Sequence, residues 1–167
     1  MEVEWSHNNV TLLKTWAEKA KSYRWLHHRA SLRYSFRSKT LTILISILSY
    51  FSGGSVLSSN LESLWFKYLI GYVSILGGVL TNINGLVAWK QLAEKHKFIS
   101  SGFSSFERSI TSVLSIDAEQ RMNPIEFINL KRKELDKLIL DAPNIPSSII
   151  SQYDESFQSK GLSNYWV

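Results

Sequence analysis

The chain has 167 residues, no cysteine, and a net charge of +5 from 19 Lys or Arg against 14 Asp or Glu. That length allows at most one ordinary domain beside a membrane segment, and the missing cysteine excludes disulfides, thiolate metal sites and a Cys nucleophile. The charge is uneven: residues 1–39 carry eight Lys or Arg against three Glu, which is the whole +5, while residues 90–167 carry ten of each sign.

Residues 1–39 contain no Gly or Pro, and none follows before Gly53. A helix is therefore expected from about Asn9 straight into the apolar run beyond it. Trp16, Ala20, Tyr23, His27, Ala30 and Tyr34 recur in steps of four and three, the spacing of a coiled-coil seam. Arg29, Arg33 and Arg37 form a stripe at i, i+4 that would meet anionic headgroups or an acidic partner. The plainer reading is a solvated basic face that only sets topology. The first apolar run starts at residue 40, after a long charged segment, so no cleaved signal peptide is expected.

Residues 40–89 hold two charge-free runs, Thr40–Leu61 and Tyr68–Trp89, joined by Glu62–Lys67 with one charge of each sign. About 20 apolar residues cross a hydrocarbon core as a helix, so the pair reads as a transmembrane helical hairpin with spans at about 40–59 and 68–89. Basic flanks before the first run and after the second place both termini on the cytosolic side. Ser and Thr dilute the first run and Gly53-Gly54 could kink it; a re-entrant segment is the alternative. Its small residues Thr42, Ser46, Ser49 and Gly53 share one helical face. In the second run Gly71, Ser74, Gly78, Thr81, Gly85 and Ala88 do the same. Such stripes let helices pack closely in lipid, against each other or against copies in an oligomer. Asn82 borders the second stripe and Asn84 points away; local helix–helix bonding and a polar pore lining are the two readings of these amides.

Residues 90–167 begin with a second seam, Leu92, His96, Ile99, Phe103, Phe106, Ile110 and Val113, which suits an antiparallel coiled coil with the N-terminal one. Gly102 within it could bend the helix. Asn123-Pro124 predicts a helix start, with Ile128, Leu135 and Leu138 facing inward to about Leu140. Lys131-Arg132-Lys133 reads as a solvated face. Pro143 and Pro146 bracket a turn, a short helix follows over roughly Ser147–Phe157, and Gly161–Val167 is expected to be extended. Tyr165 and Trp166 at its tip are either an anchor for a partner or the membrane interface, or a loose end tucked on the bundle.

No phosphate loop, metalloprotease motif or nucleophile elbow occurs. No cofactor, metal or catalytic residue is indicated, and no nucleic-acid-binding fold. His27 and His96 fall on the two seams, but six residues separate their depths below the apolar runs, about 9 Å along a helix, so a shared metal or proton relay is not expected. The fold class is an all-α membrane protein: a two-span hairpin extended into a cytosolic antiparallel coiled coil, with two short C-terminal helices.

Trp25-Leu26-His27 with Ala30 and Tyr34, then two spans, then Ala93-Glu94-Lys95-His96, resemble the SLATT-type two-span membrane proteins. Asn82-Ile83-Asn84, Arg121, Leu135-Asp136 with Leu138, and Ala142-Pro143-Asn144-Ile145-Pro146 are most similar to the short versions encoded by giant DNA viruses. That family often opens its first span with a Pro, and Leu41-Thr42-Ile43 has none, which leaves the start of the span open. The resemblance implies a structural protein of an internal virion membrane, linked to capsid or other virion proteins as a minor capsid component. The alternative it implies is a pore-forming or membrane-permeabilising effector acting as a homo-oligomer. A soluble helical bundle is the third possibility.

Overall fold

The computed structural model describes residues 4–57 and 64–158, and no strand occurs among them. The elements are α1 (His7–Leu57), α2 (Leu64–Val87), α3 (Trp89–Leu114), a 3-10 turn (Ala118–Gln120), α4 (Pro124–Asp141) and α5 (Ser147–Gln158). They form two compact units, Met1–Ser31 with Glu94–Val167, and Leu32–Ala93.

The first unit packs α1, α3 and α4 around one core. Ser6 opens α1 by accepting the Asn9 N–H at 3.2 Å on its hydroxyl, as an N-cap does. The expected seams then meet in antiparallel order. Tyr23 stacks on Phe103 with ring centroids 5.1 Å apart, and the Ser100 hydroxyl donates to the Arg24 carbonyl at 3.0 Å. Further along, Glu107 lies 3.9 Å from Lys21 and 3.3 Å from Arg24. Leu13, Ala17 and Ala20 of α1 are buried against Ile99, Phe103, Phe106 and Ile110 of α3. Small residues on one helix leave room for large ones on the other, the arrangement that fills a core without voids.

A helix cap and an arginine fix the far end of this unit. The Asn123 side-chain oxygen accepts from the N–H groups of Ile125 and Glu126 at 3.0 and 3.4 Å, with Pro124 in the first turn of α4. Arg121 donates to the carbonyls of Ile116 at 2.8 Å and Leu114 at 3.0 Å. It thereby closes the end of α3, where carbonyls lack helical partners. Its guanidinium also lies 5.2 Å from the Trp5 ring centroid, while the Trp5 indole N–H donates to the Met122 carbonyl at 3.1 Å.

Two expectations change here. Gly102 does not interrupt α3, which runs through it. It makes room for α4 instead: a Cβ there would lie 2.5 Å from Leu138 Cδ2. Lys131 is not on a solvated face. Its side chain is 8% exposed and its ammonium sits 2.6 Å from Glu134. It also lies 5.7 Å from each of the Phe106 and Phe127 ring centroids. The long apolar stem lets a charged residue occupy a seam position. Leu135 is buried beside it, with Ile128 and Leu138 partly buried against the core.

In the second unit the later part of α1 packs antiparallel on α2. Leu48 meets Gly77, and the Ser52 and Ser74 hydroxyls are hydrogen-bonded. α1 continues as a helix through Gly53-Gly54 to Leu57; residues 58–61 of the first run lie outside the described residues. The second helix is not continuous into α3 as expected. Ala88 has φ 48° and separates them. Left-handed backbone at a residue with a Cβ costs about 1–2 kcal/mol, and nothing in the alternation of residue types around Ala88 announces it.

Candidate functional site

The second unit exposes what a water-soluble protein buries. Ile43, Ile47 and Phe51 of α1 and Tyr72, Ile75 and Leu86 of α2 are all exposed. One helical stretch among the described residues, Leu64–Leu114, contains a segment long and apolar enough to cross a membrane. Its apolar part, α2, has 24 residues and spans about 36 Å, against about 30 Å of hydrocarbon. The first apolar run and the connector Glu62–Lys67 extend beyond the described residues.

Hydroxyls within this band find acceptors in their own helix. Thr42, Ser46 and Ser49 donate to the carbonyls of Ser38, Thr42 and Ile45, each at 2.9 Å. Ser74 and Thr81 do the same to Ile70 and Gly77, also at 2.9 Å. Side chains bonded back to the i−4 carbonyl carry no unsatisfied donor into an apolar solvent.

The small-residue stripes sit differently from the contact between α1 and α2. Gly77 is buried, and a Cβ added to it would be 3.7 Å from Leu48 Cβ. At Gly53, Gly71, Gly78 and Gly85 an added Cβ meets nothing within 4 Å. Gly71, Ser74, Gly78, Thr81 and Gly85 are all exposed, as are Ser46, Ser49 and Gly53 on α1. Ser74 alone of the α2 stripe has a recorded bond to α1. The half-buried face of α2 is Ile70, Val73, Leu80 and Asn84, one helical position away, and Asn82 is exposed. Asn82 thus borders the exposed stripe, and Asn84 lies away from it on the half-buried face. Spacing alone does not separate Gly77 from Gly78; only the large residues on either side of the contact do.

Arg29, Arg33 and Arg37 remain on α1 at their i, i+4 spacing. Arg29 and Arg37 are exposed and Arg33 is half-buried, with the Arg29 guanidinium 5.3 Å from the Trp25 ring centroid. Tyr165 and Trp166 lie outside the described residues.

The histidines contradict their expected separation. His27 Nδ1 and His96 Nδ1 are 2.8 Å apart, with both side chains buried. The expected offset assumed that Thr40 and Trp89 share a level. Pairing of Leu48 with Gly77 sets Thr40 opposite a position near Gly85, about one helical turn before Trp89. Burial first, and the charge of His96 second, hold the His27 pKa down at about 4. Burial also lowers that of His96. At neutral pH the pair is uncharged, one ring donating its Nδ1–H and the other accepting. A short bond between two neutral rings is a structural tie. Among the described residues no group of three or more His, Cys, Asp or Glu is placed to hold a metal ion. Against this geometry, no protein-family model, curated protein or solved structure matches the chain.

Proposed function

We propose that the chain is a structural membrane anchor. The unit Leu32–Ala93 spans the bilayer twice, and the helical unit on the cytosolic side carries the contacts to a partner. The observation that carries this reading is the band of exposed apolar side chains on both α1 and α2, without a charged residue between Thr40 and Leu57 or between Tyr68 and Val87. In water this surface would aggregate; in lipid it is the solvent-facing side of a helical pair. The basic excess of residues 1–39 favours both termini on the cytosolic side. The resemblance to the giant-virus versions of the SLATT-type family makes the internal virion membrane the expected site. The cytosolic unit, with Arg29 at its edge, then faces capsid proteins as a minor capsid component. The experiment is cross-linking of isolated particles followed by mass spectrometry. Links from Lys14, Lys19 or Lys133 to capsid subunits at fixed stoichiometry support the reading; links only between copies of this chain reject it.

A second reading draws on one observation. Gly71, Gly78 and Gly85 of the stripe, with Thr81, are exposed and have open space beside the glycines, as an oligomer contact in a permeabilising assembly would. Dye release from liposomes that Gly78→Leu abolishes favours that reading.

A further inference from the structure

A cleft of about 580 Å³ opens in the first unit between α1, α3, the end of α4 and α5. Tyr23, Phe103 and Tyr153 supply aromatic walls, and Ile139, Ile145 and Ile150 supply aliphatic ones. This volume lies within the usual range of small-molecule sites, and so does a mainly apolar lining with few polar groups. The walls are held before anything binds. The Tyr153 hydroxyl is 2.6 Å from that of Ser22, and its ring meets Trp25 edge-on at 5.4 Å. Phe103 is fully buried at the floor, and Pro143 stiffens the loop on the far side.

The charge of the cleft is one-signed. Asp154 lines it, no Lys or Arg does, and among the described residues Asp154 takes part in no ion pair. His27, also in the lining, is neutral at physiological pH, because burial and its neighbour His96 hold its pKa near 4. A half-buried carboxylate on the wall of a cleft without a basic side chain attracts a cation through its charge. It repels carboxylates and phosphates, for which the cleft offers no positive group. A single carboxylate, with the His27 Nδ1 already engaged, is too few ligands for a metal ion.

We propose that this cleft binds a small amphipathic amine, with its ammonium at Asp154 and its apolar body against Ile139, Ile145 and Ile150. The site is independent of the membrane reading. The test is titration calorimetry of the full chain in lipid nanodiscs, with empty nanodiscs as the blank, using phenethylamine, 2-phenylethanol and 3-phenylpropionate. Saturable binding of the amine is expected, with the alcohol at least tenfold weaker and no binding of the acid, since charge-assisted bonds are about twice as strong as neutral ones. Asp154→Asn should weaken the amine at least tenfold while leaving the melting temperature within about 2 °C, as Asp154 has no ion pair to lose. Ile150→Trp, which fills the cleft from its exposed rim, should block the amine in the same way. Equal binding of all three probes, no binding of any, or unchanged affinity in Asp154→Asn overturns the proposal. So does tighter binding of an N-acetyl-lysine amide than of phenethylamine, which would make a partner's lysine the occupant.

Discussion

The Nδ1 atoms of His27 and His96 lie 2.8 Å apart across the buried contact between α1 and α3. That relationship makes the stability of the first unit depend on pH. Unfolded, an imidazole titrates near 6.5; folded, His27 titrates near 4. Above about pH 7.5 both states hold neutral rings, and the pair contributes in full. Between 6.5 and 4 the unfolded chain takes up protons that the folded chain does not, so stability falls as pH falls. The loss levels off below pH 4, at about 3 kcal/mol for His27. Thermal melts of the full chain from pH 8 to 4 should show this decline, and the double change His27→Leu with His96→Leu should flatten it. Replacing one histidine alone leaves its partner's polar atom buried without the other ring, at about 1–3 kcal/mol.

Arg121 ties the end of α3 to the N-terminal segment at Trp5. Its guanidinium bonds the carbonyls of Leu114 and Ile116 and lies over Trp5. Arg121→Ala should lower stability by about 1–3 kcal/mol in urea denaturation, as hydrogen bonds to a charged group are lost with a cation–π contact. Arg121→Lys should not restore it, because an ammonium lacks the planar fork that reaches two carbonyls at once.

The pair of buried Lys131 and partly exposed Glu134 separates charge from packing. Lys131→Met keeps the stem between Phe106 and Phe127 and should be neutral or stabilising, since desolvating the charge opposes the gain from the ion pair. Glu134→Ala leaves the ammonium near the rings without its carboxylate and should cost about 1–3 kcal/mol. Denaturant midpoints of the two variants should therefore move in opposite directions, or only the second should move.

The two adjacent glycines of α2 are predicted to behave differently. Gly77→Leu pushes into Leu48 and should part α1 from α2, costing about 1–3 kcal/mol as overpacking does. Gly78→Leu enters open space within the chain and should leave the monomer's stability within about 0.5 kcal/mol. Unfolding in mixed micelles at graded SDS measures both. A large effect of Gly78→Leu on cross-linked oligomers, with none on the monomer, would place the exposed stripe between copies.

How far the sequence reveals this fold depends on what each residue signals. Seam positions such as Ile99, Phe103, Phe106 and Ile110 repeat a period, so their burial can be read in advance. Asn123-Pro124 names a helix start because the cap is local chemistry. The burial of Lys131 is not legible, because charge suggests solvent while its long stem answers to the packing around it. Gly77 is missed because contact with Leu48 depends on register, and register depends on both helices at once. Ala88 carries a left-handed backbone that its neighbours do not signal. The meeting of His27 with His96 is hidden for the same reason as Gly77: it depends on the register between helices, which the ends of the apolar runs do not mark.

Topology is the most direct test of the membrane anchor, and the absence of cysteine makes it clean. Single Ser6→Cys, Ser63→Cys and Ser156→Cys variants would be expressed in cells and treated with a maleimide that does not cross membranes. In sealed, cytosol-side-out membrane vesicles from these cells Ser6→Cys and Ser156→Cys should react, with Ser63→Cys reacting only after the membrane is opened. Equal reaction of all three before opening, or release of the chain by carbonate, would contradict a two-span anchor with both ends in the cytosol.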